Sequence, residues 1–183
     1  MSLTLTPLVI DEINRGNIPK IFGELITLIE TSKRATTSAL LPLSKEPFTV
    51  TDNLLVIGTM NTADRSLSMV DYALRRRFAF TEMEPGFSHP AFRVVLEVNS
   101  VSNSVCDHII EGMTAVNNLI ASDSANLGPG YRIGHSFFVP SMSVSDSENW
   151  LADILTHEIL PLLQEYWVDV PKQLHAARQA LGL

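Results

Sequence analysis

The chain has 183 residues, 45% of them apolar, a net charge of −7 and one cysteine, Cys106. That length suits one domain or two small ones with an ordinary core. The charge argues against a nucleic-acid-binding surface over the chain as a whole. No apolar run approaches the ~18 residues of a membrane-spanning helix, and a lone cysteine excludes an internal disulfide framework.

The N-terminus lacks the basic-then-apolar pattern of a secretory leader, and sparse cysteine suits a reducing cytoplasm, so a cytoplasmic location is expected. Cys106 itself reads as a small buried apolar residue. Pro7-Leu8-Val9-Ile10 is a short apolar run ending in Asp11-Glu12, the pattern of a parallel strand buried on both faces. An amphipathic helix follows, with Ile18, Ile21, Phe22, Leu25 and Ile29 at helical spacing. Asn17 is placed to cap it, and Pro19 sits in its first turn.

Residues 39–43 and 47–50 predict a small hairpin with Ser44-Lys45-Glu46 at its tip. Leu54 to Thr59 is a second apolar strand, also ending in polar residues from Asn61 to Arg65. A helix over about 67–76 and a strand-like Phe78-Ala79-Phe80 complete an α/β order with a mostly parallel sheet. Composition changes at Glu82–Gly86, which divides the chain into an α/β part, 1–85, and a mainly helical part, 86–183.

In the second part, Val105, Ile109, Met113, Val116 and Ile120 form a helical stripe capped by Asn103 or Ser104. The loop Asn126–Gly130 leads into Tyr131-Arg132-Ile133-Gly134-His135-Ser136-Phe137-Phe138. Another helix runs from near Glu148 with Leu151, Ile154, Leu155 and Ile159 on one face, and Pro161 is expected to break or kink it. The last twelve residues predict a short helix.

Open parallel sheets bind ligands outside the carboxyl ends of their strands. If the two apolar strands are neighbours, Asp11 and Glu12 face Asn61 there, with Asp64 beyond. Such a set suits Mg²⁺ and a water aimed at a phosphate. Asp11 would hold the ion through its waters, Glu12 would polarise the attacking water, and Asn61 would position it or touch the terminal phosphate. The plainer alternative is that Asp11-Glu12 only caps the following helix.

Asp11-Glu12-Ile13-Asn14-Arg15 together with Met60-Asn61-Thr62-Ala63-Asp64-Arg65-Ser66 resembles the Walker B and sensor 1 segments of the McrB family, AAA+ motor subunits of methylation-dependent restriction systems. The likeness continues through Val70–Phe78, Glu84–Phe87, Gly130–Phe138 and Pro161–Tyr166 in the family's order. It implies the C-terminal part of an AAA+ P-loop core followed by a helical lid. It further implies a hexameric ring, hydrolysis of GTP with Mg²⁺, and an McrC-type endonuclease partner. DNA is recognised in that family by a separate N-terminal domain, which nothing ahead of Leu8 resembles.

Within that resemblance Arg75 or Arg76 is the finger that reaches a neighbour's γ-phosphate, with Arg76 favoured, while Arg77 pairs with a local acid and Phe78 turns into the core. Otherwise the three arginines are a solvated helix end. Arg65 either senses phosphate or pairs with Asp64 or Asp71, and Arg15 faces an interface, the nucleotide or a salt-bridge partner. His135 is either structural or a lid residue beside the nucleotide, with Arg132 a second candidate for that place.

One part of the family pattern is missing. The four lysines, Lys20, Lys33, Lys45 and Lys172, do not follow a glycine, so no Gly-x-x-x-x-Gly-Lys-Ser/Thr phosphate loop occurs. The chain alone is therefore expected to bind GTP or ATP weakly or not at all and to be inactive, and to be a trimmed piece or the outcome of an incomplete gene model. A sheet lacking that part would expose an edge or a face. Two alternatives stand: an ATPase of the MoxR type that remodels proteins, and a non-catalytic module that keeps ring and partner surfaces.

Overall fold

In a computed structural model that describes residues 4–61 and 75–183, the chain divides into two compact units, Met1–Glu82 and Met83–Leu183. The first is built on two strands, β1 (Thr6–Ile10) and β4 (Leu54–Gly58), paired parallel in register from Thr6 opposite Leu54 to Ile10 opposite Gly58. Between them a two-residue hairpin, β2 (Ala39–Leu40) and β3 (Pro47–Phe48), pairs antiparallel, with Lys45 left-handed at its tip. Both strands of the parallel pair were expected to be buried on both faces. Instead Leu8, Val9, Leu55 and Ile57 are exposed, because burial on both faces needs a layer over each and the ladder has two strands among the described residues.

The helix after β1 is shorter than its apolar pattern predicts. α1 (Ile18–Phe22) starts where expected, with the Asn17 side chain accepting the Lys20 N–H at 3.0 Å. It does not continue to Ile29 as an α-helix. Gly23 has φ +51°, the left-handed region that glycine enters without steric cost, and a tighter 3₁₀ turn follows over Gly23–Thr27. Leu28 and Ile29 are nevertheless buried. Arg34 reaches from that region to the carbonyl oxygens of Ile29 and Leu54, which ties the helical segment to β4.

The expected helix over 67–76 falls mostly on residues outside those described; Arg75 is helical and Arg76 and Arg77 form a turn. Arg77 pairs with Glu30 at 2.9 Å, and Phe78 packs on Ile13 beside Ile10, Phe22, Ile26 and Met60. No strand forms over 78–80, because no described strand runs alongside to complete a ladder, and Phe80 stays exposed.

The second unit is helical. Its first helix, α2 (Pro90–Val98), has no counterpart in the sequence reading. The His89 side chain accepts the Ala91 N–H, Pro90 opens the first turn, and Phe92 and Leu96, four residues apart, are the buried pair. α3 (Asn103–Ser122) carries the expected stripe, with all five of its residues buried. Its cap is Ser102, not Asn103 or Ser104, because the Ser102 hydroxyl is the one that meets the Val105 N–H. Cys106 lies in the same core, where burial pushes its thiol upward, so it stays protonated and packs as an apolar group.

α4 (Ser147–Ile154), a π turn (Leu155–Ile159) and α5 (Leu160–Tyr166) follow one another without a gap. Pro161 does not break this run. The widened turn just before the proline accommodates a ring that would otherwise meet the carbonyl four residues back. α6 (Pro171–Ala180) closes the chain. The apolar faces of these helices, with Phe87, Phe138 and the fully buried Trp167, form one core. No described helix is long and apolar enough to cross a membrane.

Candidate functional site

Because β1 and β4 run parallel and in register, their carboxyl ends bring two distant polar strings together. The ladder continues past both strands: the Thr59 N–H donates to the Ile10 carbonyl at 3.0 Å and the Ile13 N–H to the Thr59 carbonyl at 2.9 Å. Thr59 is the joint between the strings. Its hydroxyl donates to Asp11 Oδ1 and accepts the Glu12 N–H at 3.2 Å. The Asn14 amide donates to the Asn61 carbonyl at 3.4 Å. The two polar strings thus lie side by side at the strand ends, Asp11 and Glu12 on Thr59 and Asn14 on the Asn61 carbonyl.

Glu12 sits in the left-handed region at φ 48° and ψ 48°, an uncommon place for a non-glycine residue. The turn that follows, Ile13–Arg15, begins at once, with Ile13 driven into the small core. This sharp exit leaves the two acids outside the strand end rather than along it. Arg15 forms an ion pair with Glu12, which answers one of the roles left open for it. Asp11 is exposed and bonded on one oxygen to Thr59. The donor set is all oxygen, as a hard divalent cation requires, and few protein ligands suit Mg²⁺, which keeps much of its water. No cluster of three or more metal-binding side chains exists among the described residues.

Thr59 and Asn14 were not singled out by the sequence. The signal for Thr59 was its place one residue past a β4 that ends opposite Ile10, visible only once the register is known. Asn14 Oδ1 is buried without a hydrogen-bond partner among the described groups.

Arg75 and Arg76 are exposed on the first unit. Asp64 and Arg65 lie outside the described residues. Arg132 and His135 belong to the second unit, and there both touch the segment that opens it. Arg132 pairs with Glu84 at 3.1 Å and donates through Nε to the Pro129 carbonyl at 3.0 Å. His135 Nδ1 accepts the Gly86 N–H at 3.0 Å, so in the neutral ring the proton is on Nε2. Behind them Asn117, the one buried polar residue of the described core, donates to the Ile133 carbonyl at 2.9 Å and accepts the Ile133 N–H at 2.7 Å.

Comparison with known proteins matches both units. Residues 7–78 fit the family described as the AAA domain of the dynein-related subfamily, and residues 108–175 the family described as McrB, alpha-helical lid domain. The Type IV methyl-directed restriction enzyme EcoKMcrB subunit of Escherichia coli (strain K12) is 43% identical over 182 residues, which is 95% of this chain and 39% of that protein. The Type II restriction enzyme BsuMI component YdiS of Bacillus subtilis (strain 168) is 28% identical over 90 residues, 42% of this chain and 26% of the relative. The chain thus spans about two fifths of the length of the first of these relatives.

Proposed function

The chain belongs to the McrB family of AAA+ proteins, as part of the AAA+ core followed by the helical lid, and from that premise we propose that it is the water-activating and lid portion of a GTP-hydrolysing motor in a restriction system. The observation that supports this most is the in-register pairing of β1 with β4, which brings Asp11 and Glu12 against Thr59 and Asn14 against the Asn61 carbonyl. When bound, Mg²⁺ and the nucleotide supply the phosphoryl group and neutralise its charge. Asp11 would hold the ion, with Thr59 fixing one oxygen of that carboxylate. Glu12 accepts a proton from the attacking water. Asn61, steadied through its carbonyl by Asn14, orients that water.

Arg76, or its neighbour Arg75, reaches a γ-phosphate bound by the adjacent subunit of a hexameric ring. Exposure of both suits such a role, while Arg77 is held by Glu30. Asp64 and Arg65 belong to the same nucleotide-facing string. The partner is an McrC-type endonuclease, and DNA is met through a separate N-terminal domain of the parent. ATP in place of GTP, as in a MoxR-type remodeller, is the competing reading.

In the full-length parent, Glu12→Gln lowers GTP turnover about 10²-fold or more while nucleotide still binds, because it removes only the proton acceptor. Arg76→Ala lowers turnover in the assembled ring, and an equal mixture with Glu12→Gln subunits recovers part of it. The isolated 183-residue chain, which contains no phosphate loop, turns over neither GTP nor ATP. Turnover by that chain that disappears in Glu12→Gln would overturn this part of the reading, and ATP turnover in the parent exceeding that of GTP would favour the competing one.

A further inference from the structure

The string Gly130–His135 has its neighbours on two sides, and the two sides are bonded differently. On one side, α3 holds it by the amide of Asn117, which is 6% exposed and bonds both backbone groups of Ile133. On the other side Arg132 and His135, flanking that pinned residue, each take hold of the segment that opens the unit. Arg132 grips Glu84, and His135 accepts the Gly86 N–H. The His135 ring also stands edge-on to Phe87 at 6.3 Å and to Phe92 at 5.6 Å. Approach at Gly86 is so close that a Cβ there would lie 3.1 Å from His135 Cε1 and 3.2 Å from Nδ1.

We propose that Arg132 and His135 are positioning residues of a clasp that fastens residues 84–87 to the lid, with Asn117 as its anchor. Residues 84–87 then move with the helices of the lid. An imidazole ring nitrogen that accepts a backbone N–H has that lone pair committed, and a guanidinium bonded to Glu84 and Pro129 has a fixed direction. The use of this clasp in a hydrolytic cycle rests on the function proposed above; its existence does not, and it is testable without nucleotide.

The experiment is NMR on the ¹⁵N-labelled 183-residue chain in mildly alkaline buffer, where imidazole is neutral. An N–H···N hydrogen bond predicts a through-bond ¹⁵N–¹⁵N coupling between the Gly86 amide and His135 Nδ1. It also predicts slow amide exchange at Gly86. In His135→Ala the coupling disappears and Gly86 exchange rises about tenfold, the loss of one such bond. His135→Asn, whose amide oxygen also accepts, restores most of the protection, and Arg132→Lys keeps more of it than Arg132→Ala. If His135→Ala does not fold, the wild-type coupling and His135→Asn still decide. A wild-type Gly86 amide that lacks the coupling, or that exchanges equally fast in wild type and a folded His135→Ala, overturns the clasp. Both results leave the proposed hydrolysis untouched.

Discussion

Replacing Asn117 with alanine tests the anchor of the lid directly. The side chain is buried and its two hydrogen bonds, 2.7 and 2.9 Å, go to the two backbone groups of one residue, Ile133, which is itself buried. Truncation therefore leaves one N–H and one C=O of Ile133 without partners in the interior, at about 1–3 kcal/mol each. The sum, about 2–6 kcal/mol, is a large share of the ~5–15 kcal/mol that a domain has in total. For a unit of this size it lowers Tm by about 8 °C or more. Both tryptophans of the chain, Trp150 and Trp167, lie in the second unit, so urea unfolding followed by tryptophan fluorescence reports that unit alone. Asn117→Leu fills the space yet orphans the same two groups, so it is expected to cost nearly as much as Asn117→Ala. A loss below about 0.5 kcal/mol in both variants, the range of a neutral surface change, would refute the account of Asn117 as the anchor.

Gly23→Ala forces a side chain into a left-handed backbone at φ +51° and costs the first unit about 1 kcal/mol, read as faster amide exchange in Leu28 and Ile29. Gly86→Ala pushes a methyl group against the His135 ring and lowers the urea midpoint of the lid, an effect that His135→Ala relieves in the double variant. Asp123 gives a pH dependence. Its carboxylate accepts the Trp167 indole N–H at 2.9 Å and the Asn126 amides, and these bonds, Trp167 first, hold its pKa below the ordinary 3.8. The folded lid thus binds fewer protons than the unfolded chain in that range, so the contribution is complete above the ordinary value and is lost as pH falls through the lower folded one. The stability gap between wild type and Asp123→Asn should narrow with acid below about pH 3.8; a gap that is constant down to the folded limit counts against the assignment.

Periodicity carried most of the fold. The stripe from Val105 to Ile120 was legible because a 20-residue helix repeats its buried face five times. α2 was not, because nine residues give that pattern only two buried turns, and the exposed Val94, Val95 and Val98 blur the contrast between its faces. The break at Gly23 escaped for a related reason: the apolar spacing from Ile18 to Ile29 continues through it, and only the backbone angle reveals that the helix has changed. Pro161 shows the opposite case. A residue that ends most helices was absorbed by a π turn, which tertiary packing of Leu155, Ile159 and Leu163 into the core holds in place.

The candidate site divides along the same physical line. Asp11, Glu12 and Asn61 could be named from the sequence because two apolar strands each ended in polar groups, and parallel sheets gather such ends. Thr59 and Asn117 could not, since their importance lies in what they bond across 48 and 16 residues of chain. His135 read as structural or as a lid residue beside the nucleotide, with Arg132 a second candidate for that place, and the sequence had no means to see Glu84 and Gly86 waiting 48 and 49 residues earlier. A basic side chain in a lid therefore has two uses that residue type alone does not separate. The described contacts of this pair include the acid and the amide of the segment that leads into the lid.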